Sequence, residues 1–129
     1  MANPTENLFR EFAAWTDAAL ATPPEEAAAF CFNLYEYDDA YRAEIVATSR
    51  FDRDDPEWAV DPIFFMPASH LFPLERLPGD DDWQRALAQA KELIERYLRS
   101  GNRSEVLRTA QGVGCGFVDG DVHVLWPVT

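Results

Sequence analysis

Four side chains of this sequence have the chemistry to ligate a metal ion or to pair a nucleophile with a base. They are Cys31, His70, Cys115 and His123. Zinc sites are recognised by ligands in close pairs, whereas these four residues occur singly along the chain. Isolated cysteines are also among the residue types most often buried. We therefore expect buried thiols and ordinary histidines, with no metal site and no bound cofactor.

A catalytic thiol at Cys115 would require His123 beside it as the base. Asp119-Gly120 stands between two strand-like runs, which predicts a hairpin closed by a two-residue turn. In that register Cys115 lies opposite Val124, so Cys115 and His123 project from opposite faces of the sheet. A loop one residue longer would place them on the same face. Thiol activation also needs electropositive surroundings, which a chain of net charge −12 does not offer, and we expect no enzyme.

Acidic side chains crowd the connection at 52–61 and the beginning of a helix at 80–82. A calcium loop needs ligands at alternating positions around a central glycine, but here Pro56 occupies a ligand position and the glycine is absent. Such acidic runs are usually solvated loops or charges at a helix N-terminus. The spacing therefore predicts no metal site in these segments either.

Gly112, Gly114 and Gly116 alternate along one predicted strand. The spacing is not a dinucleotide-binding motif, because a second strand follows it instead of the required helix. One face of such a strand carries no side chains, so something bulky should cover it. We expect either an aromatic side chain from a helix or a bound partner at this position.

The segment from Glu36 to Asp61 concentrates negative charge, with nine acidic residues against three arginines. Aromatic residues are interleaved with these acids, an arrangement that suits capture of a basic protein through electrostatic steering and aromatic anchors. The alternative is a solvated acidic hairpin whose aromatic side chains face the core. The candidate partner-binding residues are Glu36, Asp38, Asp39, Tyr41, Asp52, Asp54, Asp55, Glu57, Trp58 and Asp61.

Hydrophobic periodicity predicts the elements that must position these groups. Helices are expected over 4–21 and 82–100, and strands over 28–37, 41–51, 113–118 and 122–126. The runs 58–60 and 63–66 flank Pro62 and are expected to form one edge or bulged strand. Residues 67–80 form an irregular connection, and 103–110 fit either a helix or a strand. This order predicts an α+β fold, with a mostly antiparallel sheet of about five strands and two main helices on one face.

Composition limits the possible partners. The chain has 129 residues, of which 47% are hydrophobic, and this predicts a single globular domain over 1–129. With 11 basic and 23 acidic residues, its surface repels phosphates and disfavours nucleic acid and anionic membranes as partners. Two cysteines and no export signal at the N-terminus predict a cytoplasmic location.

Two stretches of the chain resemble a known class of proteins. Trp58-Ala59-Val60-Asp61 and the run from Gly116 to Val122, closing on Leu125-Trp126, are similar to segments of small acidic α+β immunity proteins of bacterial polymorphic toxin systems. The resemblance implies a cytosolic binding protein that blocks a toxin domain by occupying its surface. It carries over no catalytic residues.

The leading hypothesis is therefore a non-enzymatic, protein-binding domain, in its most specific form an immunity-type inhibitor of a basic toxin. One alternative is a small-molecule-binding or enzymatic domain with a pocket near the 67–80 connection, around His70 and Cys115. Another is a homodimer that associates through an aromatic sheet face and binds no separate ligand.

Overall fold

The computed structural model of this chain describes residues 4–37, 40–60, 62–65, 71–74 and 83–127. Its elements in chain order are α1 (Pro4–Ala19), β1 (Ala29–Glu36), β2 (Tyr41–Thr48), a 3₁₀ turn (Pro56–Val60), β3 (Pro62–Phe65), β4 (Phe72–Leu74), α2 (Trp83–Ser100), α3 (Ser104–Arg108), β5 (Gly112–Phe117) and β6 (His123–Trp126). The predicted α+β class is confirmed, and the ambiguous segment at 103–110 contains the short helix α3. Asp38, Asp39, Asp61 and His70 lie outside the described residues.

The strands form one mixed sheet in the order β3-β2-β1-β5-β6, and β4 also pairs with β2. Strands β1 and β5 are parallel, while every other described pair is antiparallel. The mostly antiparallel sheet is thus confirmed. The parallel pair arises because the chain leaves the β2 side of the sheet and passes through α2 and α3 before β5 pairs with β1.

The three helices cover one face of the sheet. Phe30, Phe32 and Leu34 alternate along β1 toward this side and are buried, as their spacing predicts. Phe12 of α1 packs on Phe32 with ring centroids 6.0 Å apart. Burial of these aromatic and aliphatic side chains is the main source of stability for the helix–sheet layer.

A hydrogen-bond network joins the three helices at one end. The hydroxyl of Tyr97 donates to Asp17 of α1 and accepts a 3.0 Å hydrogen bond from the backbone N–H of Arg103. Asn102 donates to the other carboxylate oxygen of Asp17 at 3.1 Å. One buried phenol therefore fixes the α2–α3 turn against α1.

The second face of the sheet is covered by a loop and not by helices. Trp58 lies in the 3₁₀ turn, so the predicted strand at 58–60 is wrong. Two carboxylates determine this geometry: Asp52 accepts from the backbone N–H of Asp54 at 2.9 Å, and Asp55 accepts from that of Glu57 at 3.1 Å. Such side-chain caps favour turns over extended strands.

The register of the last hairpin also differs from the prediction. Cys115 pairs with His123 and not with Val124. The backbone N–H of Gly120 donates to the carbonyl of Phe117 at 2.9 Å, which makes Gly120 the fourth residue of the turn and not a central one. Glycine is favoured at that fourth position in common β-turns, so Asp119-Gly120 fits a longer connection as well as a two-residue turn.

Candidate functional site

An open cleft of about 430 Å³ lies on the second face of the sheet, where the cover formed by the 3₁₀ turn ends. Its floor is made by β1 and β5, and its walls are the 3₁₀ turn and the connection between β5 and β6. The lining residues are Cys31, Asn33, Tyr35, Pro56, Glu57, Ala59, Val60, Gly116, Phe117, Val118, Gly120, Asp121 and Val122. We call this the acidic cleft.

Two side-chain hydrogen bonds involve the polar floor of the acidic cleft. The thiol of Cys31 lies 3.3 Å from Oδ1 of Asn33, and the hydroxyl of Tyr35 donates a 2.7 Å hydrogen bond to Glu44. Gly116 is buried, because the carbonyl oxygen of Asp121 occupies the space that a Cβ at this position would take. The floor thus combines the side chains of Cys31, Asn33 and Tyr35 with the backbone of β5.

Both titratable floor groups stay protonated at neutral pH. Burial raises the pKa of the Cys31 thiol to about 12. Burial, together with the hydrogen bond to the Glu44 carboxylate, raises the pKa of Tyr35 to about 12. A thiol or phenol held neutral in this way is a poor nucleophile. Neither floor group is therefore ionised for nucleophilic attack at neutral pH.

The rim of the cleft combines negative charge with exposed apolar side chains. Glu57 and Asp121 carry solvent-exposed carboxylates, and no lysine or arginine is among the described lining residues. Val60 and Val118 are 68% and 52% exposed, which is high for aliphatic side chains. The carboxylates can attract a cationic side chain by charge, and the valines can bury the aliphatic carbons of that side chain.

The structure separates the candidate acids of 52–57 into two groups. Asp52 and Asp55 accept backbone hydrogen bonds within their loop, and Asp55 also lies 3.6 Å from the guanidinium of Arg50. Asp54 is exposed, and Glu57 is the only one of this group that lines the acidic cleft. Two of the four acids in this group, Asp52 and Asp55, therefore hold the loop in place.

The prediction that Tyr41 and Trp58 anchor a partner at the surface is wrong. Tyr41 and Trp58 each have 0% of their surface exposed. Tyr41 packs edge-on against Phe117 at 5.8 Å on the helix side, and Trp58 packs against Phe51 at 4.9 Å on the second face. The alternative, in which the aromatic side chains face the core, is correct for these two residues. Glu36 is exposed at the end of β1 and does not line the cleft.

Cys115 and His123 lie on one face of the sheet, as the alternative of a longer loop predicts. Cys115 is fully buried, and this burial raises the pKa of its thiol. Burial, followed by the nearby charge of Lys91, lowers the pKa of His123. No hydrogen bond joins the two side chains among the described residues. Within the same residues, no three His, Cys, Asp or Glu side chains are close enough to hold a metal ion.

Sequence reasoning missed several residues of the cleft, chiefly Asn33, Tyr35, Val60, Val118 and Asp121. Alternation along β1 did place Asn33 and Tyr35 opposite the core-facing phenylalanines, and this signal was available. Val60 and Asp121 line the cleft because two separate loops meet there. No local sequence pattern encodes where these loops meet.

Comparison with known proteins adds no relative: no protein-family model, no curated protein and no solved structure matches this chain. None of the helices that the structure describes is both long and apolar enough to cross a bilayer.

Proposed function

We propose that this chain is a non-enzymatic binding domain that captures a basic protein partner, and that the acidic cleft receives a cationic side chain of that partner. The most specific form of the proposal is an immunity-type protein that inhibits a basic toxin in the bacterial cytoplasm. The observation that carries it is the cleft itself, with Glu57 and Asp121 at its rim, no cation in its described lining, and exposed Val60 and Val118 beside them.

Arginine is the side chain that best matches this lining. Its guanidinium carries a permanent charge and five donors, and its carbon stem covers apolar surface. The carboxylates of Glu57 and Asp121 supply acceptors, and the aliphatic side chains of Val60 and Val118 can contact the stem. Arginine is also enriched among the residues that contribute most to protein–protein affinity.

Capture would proceed in two stages. The net charge of −12 attracts a basic partner over a distance and accelerates encounter, an effect that salt screens. Close contact then buries the cleft and the exposed valines around it. Inhibition follows by steric occlusion, because a surface occupied by this domain is closed to the partner's substrate.

The proposal is tested with a short synthetic peptide that alternates arginine and leucine, titrated into the isotope-labelled chain. Nuclear magnetic resonance should show amide shift changes concentrated at Asn33, Tyr35, Gly116 and Val118. Neutralisation of the rim in the double variant Glu57→Gln, Asp121→Asn should weaken binding about tenfold.

The matched control is the double variant Glu11→Gln, Glu105→Gln, which removes two exposed carboxylates from α1 and α3 on the helix side. It changes the net charge by the same amount and should leave binding nearly unchanged. Equal weakening in both variants, or shift changes spread evenly over the surface, would refute a localised docking cleft.

A further inference from the structure

A second concave surface carries the opposite charge. A groove of about 620 Å³ runs along β6, at the edge of the sheet that ends with this strand. Leu98, Leu125 and Trp126 supply its apolar part, and Arg53, Arg99 and Arg108 surround them. We call these six residues the arginine groove. It shares no lining residue with the acidic cleft.

The arginines are unusual in a chain with 11 basic and 23 acidic residues. Among the described residues that line the groove, Glu95 carries the only carboxylate. Arg53 donates to the carbonyl oxygen of Pro127, and Arg108 donates to Ser104 at 3.3 Å, but within the described residues none of the three guanidinium groups forms an ion pair. Their charge is thus available to an anionic ligand.

The edge strand gives this surface a backbone component. β6 pairs with β5 on one side, and no described strand pairs with its other side. Its four residues are all partly exposed. Trp126 is held in place by a 3.1 Å hydrogen bond from its indole to the carbonyl oxygen of Arg108. An unpaired edge of this kind can accept an additional strand.

The arginines stand on both sides of that edge. Arg99 and Arg108 come from α2 and α3 on the helix face, whereas Arg53 comes from the loop that covers the second face. Successive side chains of an added strand would point alternately to these two faces. Acidic side chains on both faces of such a strand would therefore meet guanidinium groups.

We propose that the arginine groove binds an extended acidic segment of a partner protein, which adds as a strand to β6. This surface is separate from the acidic cleft, and the proposal does not depend on the function proposed for that cleft. A second copy of the chain fits less well, because symmetric pairing of two β6 edges brings the same three arginines of both copies to one interface.

The probe is a fluorescent peptide that alternates glutamate and valine, and binding is measured by fluorescence anisotropy at low and at physiological ionic strength. The double variant Arg99→Gln, Arg108→Gln should weaken binding about tenfold. Arg10→Gln, an exposed substitution on α1 outside the groove, should have little effect. Hydrogen exchange of the β6 backbone amides should slow when the peptide is bound.

Three results would overturn the proposal. The first is equal loss of affinity in Arg10→Gln and in the double variant. The second is peptide binding without any protection of the β6 amides, which would leave only charge attraction. The third is full displacement of the peptide by millimolar inorganic phosphate or by a short oligonucleotide, which would identify a site for phosphate groups.

Discussion

Gly114 lies directly beneath the indole of Trp58: a Cβ added to Gly114 would stand 2.9 Å from Cζ2 of Trp58. Phe51 covers Gly112 in the same way, and its ring packs edge-on against that of Trp58. Gly112 and Gly114 are thus covered by aromatic side chains of this chain, although these come from a loop and a 3₁₀ turn and not from an α-helix. The acidic cleft begins at Gly116, where this cover ends.

Gly114→Ala should lower the free energy of unfolding by about 1–3 kcal/mol, because the new methyl group forces the buried indole out of place. Denaturant unfolding followed by tryptophan fluorescence measures the loss. Gly120→Ala is the control, since the nearest atoms to its added Cβ would be 3.7 Å away, an ordinary contact. Equal stability of Gly114→Ala and the native chain would mean that Trp58 is not packed on β5.

Tyr97→Phe should lower the free energy of unfolding by about 2 kcal/mol, because it removes a buried hydrogen bond to a carboxylate. The backbone N–H of Arg103 loses its partner at the same time. A double-mutant cycle with Asp17→Asn isolates the pairwise contribution. Additive effects of the two substitutions would show that the network does not couple α1 to α2.

Much of the fold could be predicted from periodicity, because it depends on local patterns. Alternation along β1 identified the buried face, and helical spacing identified α1 and α2 to within a few residues. The position of Trp58 could not be predicted in this way. Its apolar neighbours look like a strand, whereas the caps at Asp52 and Asp55 turn the backbone into a 3₁₀ turn.

Sequence analysis predicted the negative charge of the candidate site but not most of the residues that line it. The excess of acids after β1 is evident in the sequence, but the separation of Glu57 from the acids that cap the loop depends on individual hydrogen bonds. The register of the last hairpin goes with a turn closed by the backbone hydrogen bond from Gly120 to Phe117. Tertiary geometry of this kind has no signature in composition or spacing.

Both cysteines should be nearly inert toward a thiol reagent in the native protein. Cys31 and Cys115 are buried, and burial raises the pKa of both thiols, that of Cys31 to about 12. At pH 8 the thiolate fraction of such a group is about a thousandfold below that of an exposed cysteine. Reaction with a disulfide reagent should therefore be slow until denaturant is added, and a rapid native reaction would contradict the assigned burial.

His123 should make stability depend on pH. Its pKa lies below the usual 6.5 because of burial and the charge of Lys91, so the folded state favours the neutral imidazole. The contribution is present above the unfolded pKa and is lost as pH falls through the lower pKa of the folded state. In His123→Gln this part of the pH dependence should disappear. Identical pH dependence of both proteins, or a histidine midpoint above 6.5 by nuclear magnetic resonance, would contradict the prediction.

The most direct measurement of the proposed docking surface places a photo-reactive amino acid at Val60 or Val118 in cells of the source organism and identifies the cross-linked protein by mass spectrometry. The same residue at Glu11 on α1 is the control. We expect one basic protein to be cross-linked from Val60 and Val118 and not from Glu11, with loss of the product when Glu57→Gln and Asp121→Asn are added. The same set of proteins from all three positions, or only acidic proteins from the cleft, would contradict the account.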